Sequence, residues 1–336
     1  MGLGYTPVVR VKGAHADLIN SRLLTWELID AAGRQSDQLT MRVDTQGING
    51  LPKEGRVIEL EVGYVETDAL TSKGKYKITR VTPRLYPDSV TIVATAAPFQ
   101  VKDETEFKKR RSRSFEQISL GDLFRQVISA HGYSPRVAPD LDSIMLAHVD
   151  QSDETDMSFI TRLARKHDAV TKPVDELYVL ARRGQIKSIS GKNIESVRFS
   201  VPSKNLPNEG CFVNAEADFP SRSRYKGVIA TYTDTDQATE LEVKVGEAPF
   251  KKIRNQHDSQ GSATESANGE MRKLLRSGVK IKLDVPGDPN LVAEGLIELD
   301  DSFPEYMRGR WSLDRVISRG DRGSGYRCAI EASEPV

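Results

Sequence analysis

Between residues 38 and 96 the chain carries four strand-like stretches with no helical pattern between them: QLTMRV (38–43), RVIELEVGY (56–64), KYKITRV (75–81) and SVTIVATA (89–96). In each, apolar and polar residues alternate or β-branched residues cluster, which suits a pleated surface buried on one face. INGLPKEG, LTSKG and RLYPD lie between them, rich in the glycine, proline, asparagine and aspartate that turns require. Parallel neighbours need long crossovers, so connections this short restrict the region to antiparallel strands in a sandwich or barrel.

At 336 residues the chain exceeds the size at which single cores stop growing, and two or three domains are expected. The β region, 1–100, gives way at VKDETEFKKRRSRSFEQ to a polar, charged connection. SLGDLFRQVISAHG (119–132) then reads as a helix, with Ser119 as N-cap, Asp122 at N3, Leu120, Leu123, Phe124, Val127 and Ile128 as its apolar face, and Gly132 as its stop. DELYVLARRG and SVRFSV read as short strands, giving a mixed α/β unit over 101–204. Beyond PSKNLPNEG come the strands CFVNAEADF, KGVIATYTD and ELEVKVG, a polar stretch RNQHDSQGSATESANG, and a helix through EMRKLLRS. Further strands VKIKLDV, GLIELD, RWSLDRVISRG and YRCAIEA make 205–336 a second mainly β region. No residue-level repeat is evident between the two β regions; their similar lengths permit a structural duplication without demonstrating one.

QSDETDMSFITRLARKHDAV (151–170) concentrates charge as an active site does, and helix mechanics accounts for it. Ser152, Asp153 or Thr155 can cap the first turn, and Glu154 and Asp156 place negative charge at the positive end of the dipole. Arg165, Lys166 and His167 occupy the last turn, where cations are favoured. Met157, Ile160, Leu163 and Ala164, with Phe159 beside them, form one apolar stripe. Asp168 follows where a left-handed residue would end the helix. The reading is a capped amphipathic helix.

Little else in the sequence carries chemistry. Net charge is zero with 29% charged residues, so nothing draws the chain as a whole to nucleic acid or an anionic membrane. No apolar stretch is long enough to span a bilayer, and MGLGYTPVVRVKG lacks a signal-peptide core, so the chain reads as soluble and unexported. MGLGYT fits only the loose myristoylation pattern. Cys211 and Cys328 make no disulfide framework. His15, His131, His148, His167 and His257 are scattered, and His148 near Asp150 and Asp153 is the nearest approach to a metal cluster. GQIKSISGKN has the wrong glycine spacing for a phosphate loop, and RGDRGSGYR between two strands reads as a hairpin loop. FKKRRSRSF (107–115) holds Lys108, Lys109, Arg110, Arg111 and Arg113, but Asp103, Glu104 and Glu106 offset them, which favours a solvated or interface-forming linker over a DNA contact. No catalytic, cofactor-binding or metal residue is assigned.

Three stretches together resemble the phage late control gene D proteins, the tail hubs of contractile phages and related bacteriocins. KKRRSRSFEQISLGDLFRQVISAHGY is similar to the family's basic linker, Ser-Phe and TLGD helix. In 151–170, Gln151, Asp153, Asp156, Phe159, Ile160, Arg162, Leu163 and Ala164 fit its Q-x-x-E-S-D-x-x-F-L-x-R-L-A signature. GDPNLVAEGLIEL and GRWSLDRVISRGDRGSGYRCAIEA resemble its closing strands. Asp168 stands where the family usually has Gly, and Ser318 where His is common. The resemblance implies an α+β, mainly β chain: two tail-tube-like antiparallel β-barrel domains, 1–100 and 205–336, with a mixed α/β middle domain, 101–204.

It also implies a homotrimer whose barrels form a pseudo-sixfold ring joining the sixfold tail tube to a threefold spike. The expected partners are a separate spike protein, since the chain ends at Val336, the tube protein, other baseplate proteins and, as a further candidate, the tape measure protein. No specific nucleic acid, stable membrane insertion, cofactor or enzymatic activity is implied. The expected location is the tail tip of a virion or bacteriocin, assembled in the host cytoplasm. The alternative is a spike-complex component of a type VI-like or other contractile injection apparatus, since the family is also similar to the N-terminal half of valine-glycine-repeat spike proteins.

Overall fold

The computed structural model describes residues 6–13, 15–32, 37–67, 69–96, 109–174, 177–182, 196–220, 225–234, 239–257, 259–321 and 325–335. The first region contains β1 (Pro7–Gly13), α1 (Ala16–Arg22), β2 (Leu23–Ala31), β3 (Gln38–Asp44), β4 (Val57–Tyr64), β5 (Ala69–Arg84) and β6 (Ser89–Thr95). They pair antiparallel in the order β1-β4-β5-β6-β3-β2. Period-two patterning sets which face is buried: Leu39, Met41 and Val43 of β3 and Ile58, Leu60 and Val62 of β4 point inward. The long β5 serves two neighbours. Its first part, to Lys77, pairs with β4; its second, from Lys77, pairs with β6, and the latter ladder slips at Thr79.

The middle region contains β7 (Arg110–Ser119), α2 (Leu120–Ser129), β8 (Ser134–Val137), α3 (Pro139–Asp142), β9 (Met145–Thr155), α4 (Asp156–Lys166), β10 (Ala169–Val174) and β11 (Leu177–Arg182). Phe124, Phe159, Leu120, Leu123, Ile128, Leu141 and Leu163 fill its core. Ser119 caps α2 by accepting from Asp122 N at 3.0 Å, and Gly132, at φ +78°, follows its end. Two expectations need correction. The described part of the basic connection is the strand β7, paired with β9, because Arg111, Arg113 and Phe115 alternate with Ser112 and Ser114 and turn inward together. Residues 151–155 continue β9 rather than opening a helix.

The remainder contains β12 (Val197–Phe199), β13 (Asn214–Asp218), β14 (Gly227–Asp234), β15 (Thr239–Gly246), β16 (Phe250–His257), α5 (Gln260–Arg276), β17 (Lys280–Pro286), β18 (Leu296–Leu299), β19 (Gly309–Asp321) and β20 (Gly325–Ser333). β12 pairs with β18, and β19-β20-β17-β13 extends the first sheet through β2 to twelve strands over one shared core. β14, β15 and β16 form a separate three-stranded sheet under α5. α5 starts ten residues earlier than EMRKLLRS suggests, capped by Ser259: Ala263, Ala267, Met271 and Leu274 give the polar stretch a helical inner face of small residues.

The two ends of this sheet are copies of one another. Hairpin β5–β6 corresponds to β19–β20, β3 to β17, β2 to β13 and β4 to β18, each with the same neighbour relation. Both long strands slip by one residue against their hairpin partner, at Thr79 and at Asp314. Aligning those bulges sets KYKITRVTPR (75–84) against RWSLDRVISR (310–319), with Tyr76 on Trp311 and Ile78 on Leu313, all buried. Upstream, the ladders set GRVIEL (55–60) against EGLIEL (294–299), with Ile58 on Ile297. Gly55, at φ +82°, donates to Ile78 O at 2.8 Å; Glu294, at φ +66°, donates to Leu313 O at 2.7 Å. The structure thus carries the duplication that the sequence reading left open, with identical residues at few of the matched positions. The longer link between β4 and β5 (58 to 76, against 297 to 311) and the β14–α5 insertion between β13 and β17 break its frame.

If the halves are equivalent, truncations at matched positions should match. Ile58→Ala and Ile297→Ala, both wholly buried, should each cost about 2–5 kcal/mol. Glu59→Ala and Glu298→Ala, next door on the outward face, should each cost about 0.5 kcal/mol or less. Chemical denaturation checks both pairs.

Candidate assembly interface

β2 and β19 join the two halves antiparallel, from Thr25↔Asp321 to Ala31↔Arg315. Glu27 lies opposite Arg319 in the register, while the Arg319 guanidinium bridges Asp284 of β17 at 2.5 Å. Trp26 packs on Tyr326 at 5.4 Å between ring centres and faces Gly320, where a Cβ would lie 2.5 Å from the indole nitrogen. The loop after β17 is clasped by the first half: Tyr64 Oη donates to Gly287 O at 2.5 Å, Lys73 Nζ to Leu291 O at 2.9 Å, and Ala293 N to Asp30 at 2.8 Å. Burial pushes the Tyr64 phenol up to about 12 and draws the Lys73 ammonium down, with the Asp30 charge opposing the latter. This joint is an interior, not a cleft.

The same sheet is open elsewhere. Among the described residues, β13 has a neighbour on one side only, and β4 leaves β5 at Lys77, so the second part of β5 is covered only by β6. Beside these edges lie Leu85 (88% exposed), Tyr86 (89%) and Phe219 (55%). Unpaired N–H and C=O groups flanked by exposed apolar side chains are a template for another strand.

The carboxylates of 151–170 are spent on positioning. Thr155 is the N-cap of α4, accepting from Ser158 N at 3.1 Å. Asp153 is exposed, at φ +46°, and pairs with Arg110 at 2.8 Å; Glu154 pairs with Arg162 at 2.5 Å. Asp156 does more than complement the dipole. It is buried and accepts from Arg113 Nη2 at 2.6 Å and Gln151 Nε2 at 2.8 Å, with His131 Nε2 at 2.8 Å and Arg111 Nε at 3.5 Å. One carboxylate thus ties β7, β9, α4 and the end of α2. Asp168 adopts the left-handed conformation expected, at φ +54°, and is also buried between Arg272, at 3.1 Å, and Arg276 of α5. Arg182 adds a bond to His167 O at 2.9 Å and faces Glu265 of α5 at 3.8 Å.

The remaining sequence candidates stay dispersed. His148 meets Asp150 at 3.0 Å and Glu116 at 3.7 Å on an exposed ladder. Among the described residues, no three His, Cys, Asp or Glu are placed to hold a metal. GQIKSISGKN and residues 107–108 lie outside the described residues; RGDRGSGYR spans the turn of hairpin β19–β20, of which 322–324 are outside. No described helix is long and apolar enough to cross a membrane.

Two outcomes follow for these ionic centres. Asp156→Ala should cost about 3 kcal/mol, since it removes the buried acceptor shared by Arg113, Gln151 and His131, against about 1 kcal/mol for Thr155→Ala and no measurable change for Asp153→Ala. His167 is buried, and its pKa is lowered to about 4 by desolvation and then by Lys166, Arg182 and Arg272. An unfolded-state value near ~6.5 means the unfolded chain protonates first, so stability falls from pH ~6.5 to ~4, by about 3 kcal/mol. His167→Gln should flatten that interval of the denaturation profile.

Residues 106–323 match the model of the family described as phage tail baseplate hub (GPD). A probable baseplate hub protein of Escherichia phage P2 is 31% identical over 218 residues, which cover 65% of this chain and 53% of the relative, so the chain spans about half the length of that protein. In fold, the chain is similar to the 43 kDa tail protein of prophage MuSo2 from Shewanella oneidensis, with a TM-score of 0.68 at 12% identity over 98% of this chain and 99% of that one. It is also similar to the Escherichia coli c3393 protein, a component of the type VI secretion system, with a TM-score of 0.58 at 10% identity over 98% and 76%. By its sequence, this chain belongs to the phage tail baseplate hub family.

Proposed function

We propose that the chain is a structural hub: three copies close into a pseudo-sixfold ring that seats the sixfold tail tube on a threefold spike. The observation that carries this reading is the duplication within one continuous sheet, which makes a single chain two equivalent wall segments with open ends. Head-to-tail repetition of such a unit closes edges that a lone chain leaves bare. In this reading 1–100 and 205–336, joined by β12 from the end of the middle region and without the β14–α5 insertion, supply the wall, and the rest of 101–204 stands outside it. The partners are a separate spike, the tube protein, other baseplate proteins and the tape measure protein, with no duplex DNA or membrane among them. The site of action is the tail tip, after assembly in the host cytoplasm. The mechanism is geometric: the wall repeats six times, whereas the middle region and the β14–α5 insertion repeat three times.

A reconstruction of the native tail tip should contain three copies in one ring, with the two halves alternating. Six copies in the ring, or one on the axis, would overturn the proposal. The purified chain should leave a peptidoglycan zymogram uncleared and carry no stoichiometric zinc by elemental analysis.

A further inference from the structure

The duplication says how one copy would meet the next. In the joint within the chain, the second part of β19 is covered by β2. Among the described residues, its counterpart, the second part of β5, is bare on that side, and so is the side of β13, the counterpart of β2, that faces away from β17. We infer that β13 of one copy pairs antiparallel with residues 80–86 of β5 and its turn in the next, in the register of the β2·β19 joint. This rests on the ring reading above and adds the contact itself.

The register follows from two alignments. The bulges set Arg80 on Arg315 and Arg84 on Arg319. The shared partners set Thr25–Ile29, opposite Arg42–Gln38, on Asn214–Asp218, opposite Asp284–Lys280. Arg319 faces Glu27 within the chain, and the same construction brings Arg84 to face Glu216 between copies. It also sets Val81 against Phe219, Thr82 against Asp218 and Leu85 against Ala215. An arginine thus stands opposite a glutamate at the same register position in both joints, and Arg84 has Glu216 where Arg319 turns to Asp284. The three most exposed apolar groups named above, Leu85, Tyr86 and Phe219, fall inside or at the rim of the new joint. Arg84 Nε donates to Tyr86 O at 3.0 Å, which leaves both terminal nitrogens of the guanidinium for Glu216. Pro83 stands where Ser318 does and brings no N–H. The edge is therefore a poorer template for indiscriminate pairing, and selectivity falls to the Arg84–Glu216 contact.

Full-length chain carrying Cys211→Ser, Arg84→Cys and Glu216→Cys, assembled into tails and mildly oxidised, should give a covalent trimer on a non-reducing gel. Moving one partner two residues along the same face, to Asn214→Cys, should lower the yield at least about tenfold, because directly opposed Cβ atoms fit a disulfide and diagonal ones do not. Independently, Arg84→Glu or Glu216→Arg alone should weaken trimer association about a hundredfold, roughly fivefold at each of three joints. The double reversal should restore it to within about threefold, and unchanged thermal unfolding of each variant excludes misfolding. Equal crosslinking at both positions, or no rescue by the double reversal, would overturn the register even if the reconstructed ring is threefold. A tail tip without a threefold ring would overturn the ring reading and this contact together.

Discussion

The antiparallel ladder between β2 and β19 is the contact on which the rest of the architecture depends. Each half brings a small sheet with bare edges, and buried backbone N–H and C=O groups need partners. Pairing the edges merges two sheets into one and lets a single core run from Val11 to Ala332. The fit is specific as well as hydrogen-bonded: Gly320 makes room for Trp26, and Tyr64, Lys73 and Asp30 hold the loop after β17. Lys73 and Asp30 would be costly to bury alone. Each is bonded to backbone of the other half, so separating the halves would strand both.

The middle region is fixed by a different kind of contact. Its chain leaves the wall after β6 and returns at β12. Asp168 supplies an anchor, because a helix end in the left-handed conformation aims its carboxylate at Arg272 and Arg276 of α5. α5 belongs to the insertion within the second half. The element hung from one half is therefore braced by the element inserted in the other, through charges that are buried and paired. Buried ion pairs add little net stability over an apolar contact, but they punish misplacement, which suits a brace that must set an angle.

Most of the strands were legible in the sequence because a sheet with one wet face writes its period into the residues. Leu39, Met41 and Val43 spell out β3 without help from tertiary structure. The α4 stripe and the left-handed Asp168 were legible for the same local reason. What stayed hidden depends on partners distant in the chain. Asp156 looks like any first-turn acid until Arg113 and His131 arrive from 43 and 25 residues away. β7 was masked by its charge, although R-S-R-S-F alternates as any strand does. The start of α5 was hidden because alanine and glycine can line a helix–sheet contact without a hydrophobic signal. The duplication left only a few matches in two short blocks, such as Ile-Glu-Leu at 58–60 and 297–299, and these carry weight only once the paired bulges and ladders fix their alignment.

Duplication followed by divergence is also a physical route to a symmetry change. Where the wall must repeat, the two halves keep what builds a wall: the bulged long strand, the buried aromatic at Tyr76 and Trp311, and the left-handed residue before β4 and β18. Divergence is largest in the connections and in the flanking strand, antiparallel β1 beside β4 but parallel β12 beside β18. Between β2 and β3 the first half has a short link, whereas between β13 and β17 the second half carries a sheet and a helix. The turn of β5–β6 exposes Leu85 and Tyr86, whereas the described ends of the β19–β20 turn are polar. In the proposed ring, a partner that touches only the wall would meet six near-equal surfaces, and one that touches the connections would meet three. Changing which residues a partner reaches would thus be enough to change the symmetry it experiences, with no change in the wall that carries both.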